Sequence, residues 1–446
     1  METILIRTLQ LVMSFSLLVF IHEFGHFLFA RVFKIRVEKF YIFFDPWFAL
    51  FKHKPKNSET EYGIGWLPLG GYCKIAGMID ESMDTEQMGQ EPQEWEFRSK
   101  PAWQRLLVMV GGVLMNFLLA LFIYSMVLYS WGEHYVSVKD MNQGMYFSEY
   151  AKKVGFQDGD ILLKADQEEL NKYGVDMLRV ISEAKEVTIL RNGEEKILAL
   201  PELNLLQMIK SSPVFATPLV PSVVGELVAD GSFSKAGIQV GDSLVAFNGK
   251  PLNSFNAFLT EMQDQIIRAE KTENTSFSFT LVYARKGQMD TIQVTTNDQF
   301  QVGVIPKTPE YKETIINYSF LASFPAGAKM GVKTMTDYVN DLKYVATKDG
   351  AKSIGGFATI ATLFPSQWDW YRFWTMTAFI SIMLAVMNLL PIPALDGGHI
   401  LFLLIEIITR KKPSEKVLTY AQVAGMIFIF GLMIFANLND VLRFFF

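Results

Sequence analysis

The 446-residue chain is rich in apolar side chains: half of its residues are hydrophobic, 14% are aromatic and only 20% are charged. At about 150 residues per domain it holds roughly three domains, and this composition excludes a disordered or collagen-like protein. The net charge of -5 gives no electrostatic basis for binding nucleic acid. A single cysteine, Cys73, excludes an internal disulfide framework. The excess of apolar residues points to a membrane.

Three stretches without charged residues are long enough to cross a bilayer: Leu106–Gly132, Phe373–Leu395 and Val417–Asn439. About 20 helical residues span the hydrocarbon core. Near the N-terminus, the apolar segment Leu9–Ile21 is followed by three ionisable residues and then resumes over Phe27–Ala30. Ionisable side chains inside a span are costly and usually functional. We therefore predict an uncleaved first transmembrane helix here rather than a signal peptide.

Basic residues flank the predicted spans on one face of the membrane. They are Arg31, Lys34, Arg36 and Lys39 after the first span, Arg98, Lys100 and Arg105 before the second, and Arg410, Lys411, Lys412 and Lys416 before the fourth. Because Lys and Arg are enriched in cytoplasmic loops, this face is expected to be cytoplasmic. Four crossings then place both termini and the segment 133–372 on the extracytoplasmic side.

The outer segment contains an internal repeat. The sequence AKKVGFQDGDILL at 151–163 is similar to FSKAGIQVGDSLV at 233–245, with an offset of 82 residues. The second copy continues through Asn248-Gly249, a strong hairpin signal, into a helical pattern and two strands. The two copies resemble a tandem pair of PDZ domains, which can bind an extended peptide as an added strand. The alternative, that they only shape access to the membrane part, stays open.

The first span ends with the motif His22-Glu23-Phe24-Gly25-His26, an HExxH pattern. Residues i and i+4 share a helix face, so both imidazoles can bind one metal ion. Glu23 lies beside them and can act as a general base for water. The alternative, two core histidines bonded to their neighbours, is disfavoured within an apolar helix that also carries a glutamate.

A catalytic zinc usually takes three protein ligands, so one more is needed. The segment 388–399, NLLPIPALDGGH, lies at the cytoplasmic end of the third span, on the same membrane face as the HExxH motif. Asp396 can complete a His₂Asp site, although an aspartate there would also suit the N-cap of a helix beginning near His399. His399 is the competing third ligand, and spacing alone does not decide between the two.

HEFGH, the tandem PDZ-like insert and NLLPIPALDGG together resemble the site-2 protease (M50-type) family, in particular its bacterial RseP-like intramembrane metalloproteases. Gly63–Met78 resembles the family's membrane-associated β-hairpin, Gly111–Asn116 its motif in the second span, and Ser353–Ala361, more loosely, a segment before the third span. The resemblance covers nearly the whole chain in the right order.

The resemblance implies a site in which His22, His26 and Asp396 bind one zinc ion and Glu23 is the general base. Asn388 would help to hold the substrate backbone, or else form a helix–helix hydrogen bond.

A substrate helix must unwind before it is cut, and its bared backbone groups then need partners in the membrane. The hairpin could supply them by strand addition, with close backbone approach at its glycines, Gly63, Gly65, Gly70 and Gly71. A glycine-rich loop packed on the bundle is the alternative.

The expected fold is a polytopic α-helical membrane protein with four transmembrane helices, two inserted β-rich PDZ-like domains and a membrane-associated β-hairpin. The expected divisions are 1–35 for the first helix, 36–102 for the hairpin region, 103–132 for the second helix, 133–205 and 206–306 for the PDZ-like domains, 307–371 for a linker with helices, 372–410 for the third helix with LDGG, and 411–446 for the fourth helix.

The resemblance implies an intramembrane zinc metalloprotease of a bacterial inner membrane. Its substrates would be single-span proteins, such as anti-sigma factors and signal-peptide remnants, already trimmed by an upstream site-1 type protease. Membrane lipid would be its other partner. Three alternatives predict different behaviour: a membrane-anchored PDZ scaffold would tolerate loss of Glu23, a metal transporter would need ligands along several helices, and a protease for soluble peptides would not place HExxH within an apolar helix.

Overall fold

The computed structural model describes residues 2–68, 70–78, 91–351 and 354–445. Leu69 of the predicted hairpin, 79–90 of the hairpin region and Ser353 of the loosely similar segment lie outside the described residues. The chain divides into two compact units. One unit combines Met1–Gly132 with Asn317–Phe446, and the other is Glu133–Ile316.

The elements follow one another in three groups. The N-terminal group is α1 (Glu2–Val32), β1 (Val37–Ile42), β2 (Phe44–His53), β3 (Glu61–Leu67), β4 (Tyr72–Ile75) and α2 (Ala102–Trp131). The second unit contains β5 (Glu133–Val136), β6 (Met145–Phe147), α3 (Glu149–Lys153), β7 (Ile161–Ala165), β8 (Glu168–Glu169), α4 (Val175–Glu183), β9 (Glu186–Arg191), β10 (Glu194–Ala199), α5 (Leu205–Lys210), β11 (Ala216–Pro218), β12 (Val224–Leu227), α6 (Ser232–Lys235), β13 (Ser243–Phe247), β14 (Lys250–Pro251), α7 (Phe255–Lys271), β15 (Ser278–Arg285), β16 (Gln288–Thr295), β17 (Val304–Pro306) and β18 (Glu313–Ile316). The C-terminal group is α8 (Phe320–Val345), α9 (Lys348–Ala351), α10 (Phe357–Thr362), α11 (Trp370–Leu389), α12 (Asp396–Thr409) and α13 (Glu415–Phe445).

Four helices, α1, α2, α11 and α13, are long and apolar enough to cross a membrane, which confirms the predicted number of spans among the described residues. Each of the first, second and fourth helices runs beyond the predicted apolar stretch, because polar residues at a span's ends continue the helix into the interface. The first helix also runs unbroken through the HExxH motif. An intact helix there keeps the i and i+4 geometry of the two histidines.

The third span is shorter than predicted. The helix α11 ends at Leu389, six residues before the expected Leu395. Pro391 and Pro393 explain this end, because proline lacks a backbone donor and restricts the residue before it; Leu390 is accordingly extended, with φ -61° and ψ 141°. The turn that follows leads directly into α12, which begins at Asp396.

Glycines let the helices of the membrane unit approach closely. A Cβ added at Gly25 of α1 would overlap the backbone of Gly111 in α2, and one at Gly111 would lie 2.7 Å from the Gly25 carbonyl oxygen. The same device joins α8 to α2, where Gly327 faces the backbone of Ser125. Small residues at such contacts are typical of helix packing within membranes.

The segment after α1 forms a four-stranded sheet in the order β2-β3-β1-β4. The predicted hairpin over Gly63–Met78 is therefore wrong in its pairing: β3 and β4 do not pair with each other, because β1 lies between them, parallel to β3 and antiparallel to β4. The hairpin in this sheet is formed by β2 and β3. Pairing of β1 with both later strands is a non-local contact that the local turn signals do not encode.

The second unit contains two copies of one β-rich arrangement. In each copy a four-stranded antiparallel sheet, in the order β10-β9-β7-β8 or β16-β15-β13-β14, is accompanied by a two-stranded pair. The predicted turn at Asn248-Gly249 joins β13 to β14, and both residues have positive φ, 46° and 81°. The core of the second copy is formed by aromatic and aliphatic residues such as Phe247, Phe258 and Phe279.

The repeated Gly-Asp sequence has a structural explanation. Arg191 binds Asp160 through its Nε and Nη2 atoms, each at 2.7 Å, and also donates to the Gly155 carbonyl. The second copy repeats the arrangement with Arg285, Asp242 and Gly237. Such bidentate pairs are geometrically specific. The Arg285 guanidinium lowers the pKa of the Asp242 carboxyl against the opposing effect of burial.

The boundary between the two copies differs from the predicted division at 205/206. The strand β11 pairs with β6, Ala216 opposite Phe147, so the first copy runs through Pro218 and includes α5. The matching pair in the second copy is β12 with β17. In both copies the two-stranded pair is completed by a strand that comes last in the chain.

The predicted linker 307–371 is divided between the two units. The strand β18 pairs with β5 in the second unit, whereas α8–α10 belong to the first.

Candidate active site

The two histidines of the HExxH motif meet the aspartate of the LDGG segment. The Nε2 atoms of His22 and His26 lie 3.2 Å apart. The Oδ2 atom of Asp396 lies 3.1 Å from His22 Nε2 and 3.3 Å from His26 Nε2. All three side chains are largely buried, with 13%, 8% and 13% exposed. Two segments separated by more than 350 residues thus supply one cluster.

This donor set fits zinc. Two imidazole nitrogens and one carboxylate oxygen are a known catalytic zinc set, and tetrahedral bonds of 2.0–2.1 Å place neighbouring ligand atoms about 3.3 Å apart. The three separations match that spacing. Apart from its contacts with the two imidazole nitrogens, the Oδ2 atom of Asp396 is buried without a hydrogen-bond partner in the described residues. A cation shared by the three side chains would satisfy this oxygen, since buried polar atoms are normally paired.

Asp396 is the first residue of α12, and Leu395 is the N-cap, without a side-chain capping bond. The alternative role as N-cap of a helix beginning near His399 is therefore wrong. The competing ligand His399 is not a member of the cluster; it lines a separate cavity with Arg98 and Arg105.

Glycine positions explain how the ligands come together. A Cβ on Gly112 of α2 would overlap His26 Nε2 and lie 2.7 Å from His22 Cε1, so no larger residue fits beside the imidazoles. A Cβ on Gly398 would lie 2.7 Å from the Ile392 carbonyl oxygen, where the turn after α11 folds back on α12. The glycines of GGVLMN and LDGG therefore serve close packing around the cluster.

Glu23 lies between this cluster and β4, which is the outermost strand of its sheet within the described residues. The backbone N–H of Cys73, in the middle of β4, donates to its carboxylate. A Cβ added at Gly71 would lie 3.5 Å from Glu23 Cγ. The predicted base therefore lies beside both the metal ligands and a strand edge.

The predicted substrate-binding residues are less closely grouped. Asn388 is the penultimate residue of α11 and half-buried. Gly63 and Gly65 lie on β3, which is paired on both sides and cannot take an added strand. A side chain at Gly63 would overlap the Tyr41 ring, and one at Gly65 would overlap the Phe44 carbonyl, so packing within the sheet explains both glycines. A side chain at Gly70 would likewise meet the Phe44 ring. Only Gly71 lies next to the base.

Two contacts to the histidines were not predicted from the sequence. The Val108 carbonyl lies 2.9 Å from His26 Nδ1, and the Asn116 side chain lies 3.4 Å from His22 Nδ1. From the sequence, Asn116 is predicted to be a packing or helix-contact residue rather than a catalytic one. Its four-residue spacing from Gly112 was the available signal, because it places both residues on one face of α2.

The model of peptidase family M50 matches residues 10–432. The chain belongs to peptidase family M50. It is 30% identical to a Yersinia pestis protein named Protease RseP, over 99% of this chain and 100% of that relative. It is 28% identical both to the Regulator of sigma E protease of Salmonella typhi and to a Vibrio cholerae protein named as a candidate zinc metalloprotease, each over 99% of this chain and 100% of the relative.

Membership in family M50 decides among the functions left open by the sequence. The chain is a zinc metalloprotease, and its four apolar helices make it an intramembrane protease of the bacterial inner membrane. The scaffold, the transporter and the protease for soluble peptides are thereby disfavoured.

Proposed function

We propose that this M50 peptidase hydrolyses peptide bonds within or near the transmembrane segments of single-span proteins that another protease has already shortened. The observation that carries the proposal is the cluster of His22, His26 and Asp396, whose two histidines belong to a membrane-spanning helix. A substrate bond must therefore enter the membrane region to be cut. The names of the relatives, which include a regulator of sigma E, support anti-sigma factors as one substrate class.

His22, His26 and Asp396 are the proposed ligands. Zinc bound there supplies Lewis acidity at the scissile carbonyl and lowers the pKa of water towards 7. Glu23 removes the proton from the attacking water and passes it to the leaving amine. The Cys73 N–H orients the Glu23 carboxylate for both transfers. Half-buried Asn388, near the end of α11, is proposed to hold the substrate backbone.

The edge of β4 is the proposed support for the unwound substrate. Within the described residues, β4 has β1 on one side and no strand on the other. Strand addition there would pair the bared backbone groups of the substrate, each of which costs several kcal/mol in lipid. Because the Cys73 N–H of β4 reaches Glu23, a strand added at this edge would pass beside the base. Gly71, next to the base, is the glycine that suits this role.

The repeated domains are proposed to select shortened substrates outside the membrane. The basic flanks of the spans support a topology in which 133–316 and both termini are extracytoplasmic. A groove of about 800 Å³ is lined by α7 and residues 300–304 of the second copy and by Ser212, Pro213 and Thr217 of the first. This volume is typical of sites that hold a ligand. We propose that this groove recognises a peptide end, in addition to exclusion of bulky substrates by size.

Two reporters test the selection of shortened substrates. Both carry the same transmembrane segment, and one keeps a folded outer domain while the other ends in a short stub. We expect the purified protein to cut the stub reporter roughly tenfold faster, equivalent to about 1.4 kcal/mol in activation free energy. Equal rates would contradict the filter, whereas cleavage of either reporter would leave the protease assignment intact.

A further inference from the structure

The hydrogen bond to His26 fixes which of its ring nitrogens faces the metal cluster. The Val108 carbonyl oxygen, 2.9 Å from Nδ1, can only accept. Nδ1 of a neutral imidazole must then carry the proton, which leaves a lone pair on Nε2. That atom is the one directed at Asp396. The backbone of α2 thus sets the tautomer of the second histidine.

His22 needs the same tautomer but faces a side chain. Its Nε2 atom must also offer a lone pair to the cluster, so Nδ1 must carry a proton and find an acceptor. The group next to Nδ1 is the Asn116 carboxamide, whose Nδ2 atom lies 3.4 Å away. Two donors would then face each other. At the same time the Asn116 Oδ1 atom is buried without a hydrogen-bond partner.

One rotation of the amide removes the donor–donor contact and gives Oδ1 a partner, while Nδ2 moves to the place that Oδ1 leaves. The two ends of a carboxamide have nearly the same shape, and their placement follows from the surrounding hydrogen bonds. Turning the group by half a rotation puts Oδ1 next to His22 Nδ1. We propose that Asn116 is a positioning residue, whose Oδ1 accepts a hydrogen bond from His22 Nδ1–H and so holds the Nε2 lone pair towards the metal. This inference rests on the ligand set proposed above.

The surroundings of Asn116 favour this role over simple packing. The residue is 1% exposed. Its contact with α11 is made by the backbone, since the Ser381 hydroxyl donates to the Asn116 carbonyl at 2.7 Å. Among the described residues, the contact of the amide that has been identified is the one with His22 on α1. Partners of this kind orient metal-binding histidines in many proteins, and their loss typically lowers metal affinity 10- to 100-fold.

Two substitutions in the full-length protein separate positioning from packing. Asn116→Leu keeps the branching and the number of side-chain heavy atoms and suits an apolar span, but it removes the acceptor. Asn116→Asp keeps the shape and offers only acceptors. Thr377→Val is the matched control, because Thr377 is also fully buried and its hydroxyl donates within its own helix, to the Phe373 carbonyl. Zinc affinity is measured by competition with a chelator of known affinity, and thermal unfolding reports on the fold.

We expect zinc affinity to fall 10- to 100-fold in Asn116→Leu and to stay within about threefold of the native value in Asn116→Asp and Thr377→Val. Unchanged affinity in Asn116→Leu, or equal losses in folded Asn116→Leu and Asn116→Asp, would overturn the proposal. If Asn116→Asp does not fold, Asn116→Leu decides alone when its thermal unfolding matches that of Thr377→Val: a 10- to 100-fold loss of zinc affinity supports the proposal, and unchanged affinity overturns it. Zinc binding by the native chain, and its loss in the Asp396 variant discussed below, test the ligand set separately.

Discussion

Glu23→Gln is expected to reduce cleavage of a single-span reporter by roughly 10²–10⁴-fold, the usual contribution of a positioned general base. The substitution keeps the size of the side chain and its contact with the Cys73 N–H, but the amide cannot take a proton from water. Zinc content should remain equal to that of the native protein, because the three converging ligand atoms belong to His22, His26 and Asp396 and not to Glu23. Initial rates in detergent, with zinc determined on the same samples, measure both effects.

Glu149→Gln is the matched control for this variant. Glu149 lies on α3, and its side chain is 81% exposed. We expect its cleavage rate to equal the native rate. Native-like cleavage by Glu23→Gln would show that another group is the base, or that the activity belongs to a different protein in the sample.

Asp396→Asn should remove most of the zinc and most of the activity together. The amide keeps the shape of the side chain but removes the negative charge of the carboxylate, which lies next to the Nε2 atoms of both histidines. Loss of a partner that only orients a ligand costs 10- to 100-fold in affinity, so loss of a ligand should cost more than about 100-fold. Chelator competition followed by a cleavage assay on the same preparation measures this effect.

Asp369→Asn separates the ligand role from a helix-terminal role. Asp369 is the N-cap of α11, where its carboxylate accepts from the Arg372 N–H. Loss of a capping interaction costs about 1 kcal/mol of stability and no zinc. If Asp396→Asn behaved like Asp369→Asn, with a small loss of stability and full zinc binding, Asp396 would not be a ligand.

The membrane helices and the metal cluster were accessible from the sequence because each leaves a local trace. Long charge-free stretches predict spans, and HExxH predicts two ligands through the spacing of one helix. The choice of Asp396 over His399 came from the family resemblance, and the geometry of the cluster supports it. The spacing of residues could not choose between the two ligands, because two prolines interrupt the helix between α11 and α12. Helical periodicity therefore does not tell which side chain after them faces the histidines.

Non-local pairing accounts for most of the remaining differences. The strand β1 takes β3 on one side and β4 on the other, so the predicted hairpin is interrupted by a strand that precedes it in the chain. The strand β11, which follows α5, completes the first repeated domain, so that domain ends later in the chain than the predicted boundary. The role of Asn116 depends on its contact with His22 of α1, and the sequence of α2 alone does not show which residue of another helix it contacts.

The central claim is that zinc-dependent cleavage takes place within the membrane. The most direct measurement is mass spectrometry of the products that the purified protein forms from a single-span reporter, before zinc removal, after it and after zinc is restored. We expect a cut inside the transmembrane segment that disappears without zinc and returns with it. A cut confined to the soluble flanks of the reporter, or one that persists without zinc, would contradict the claim.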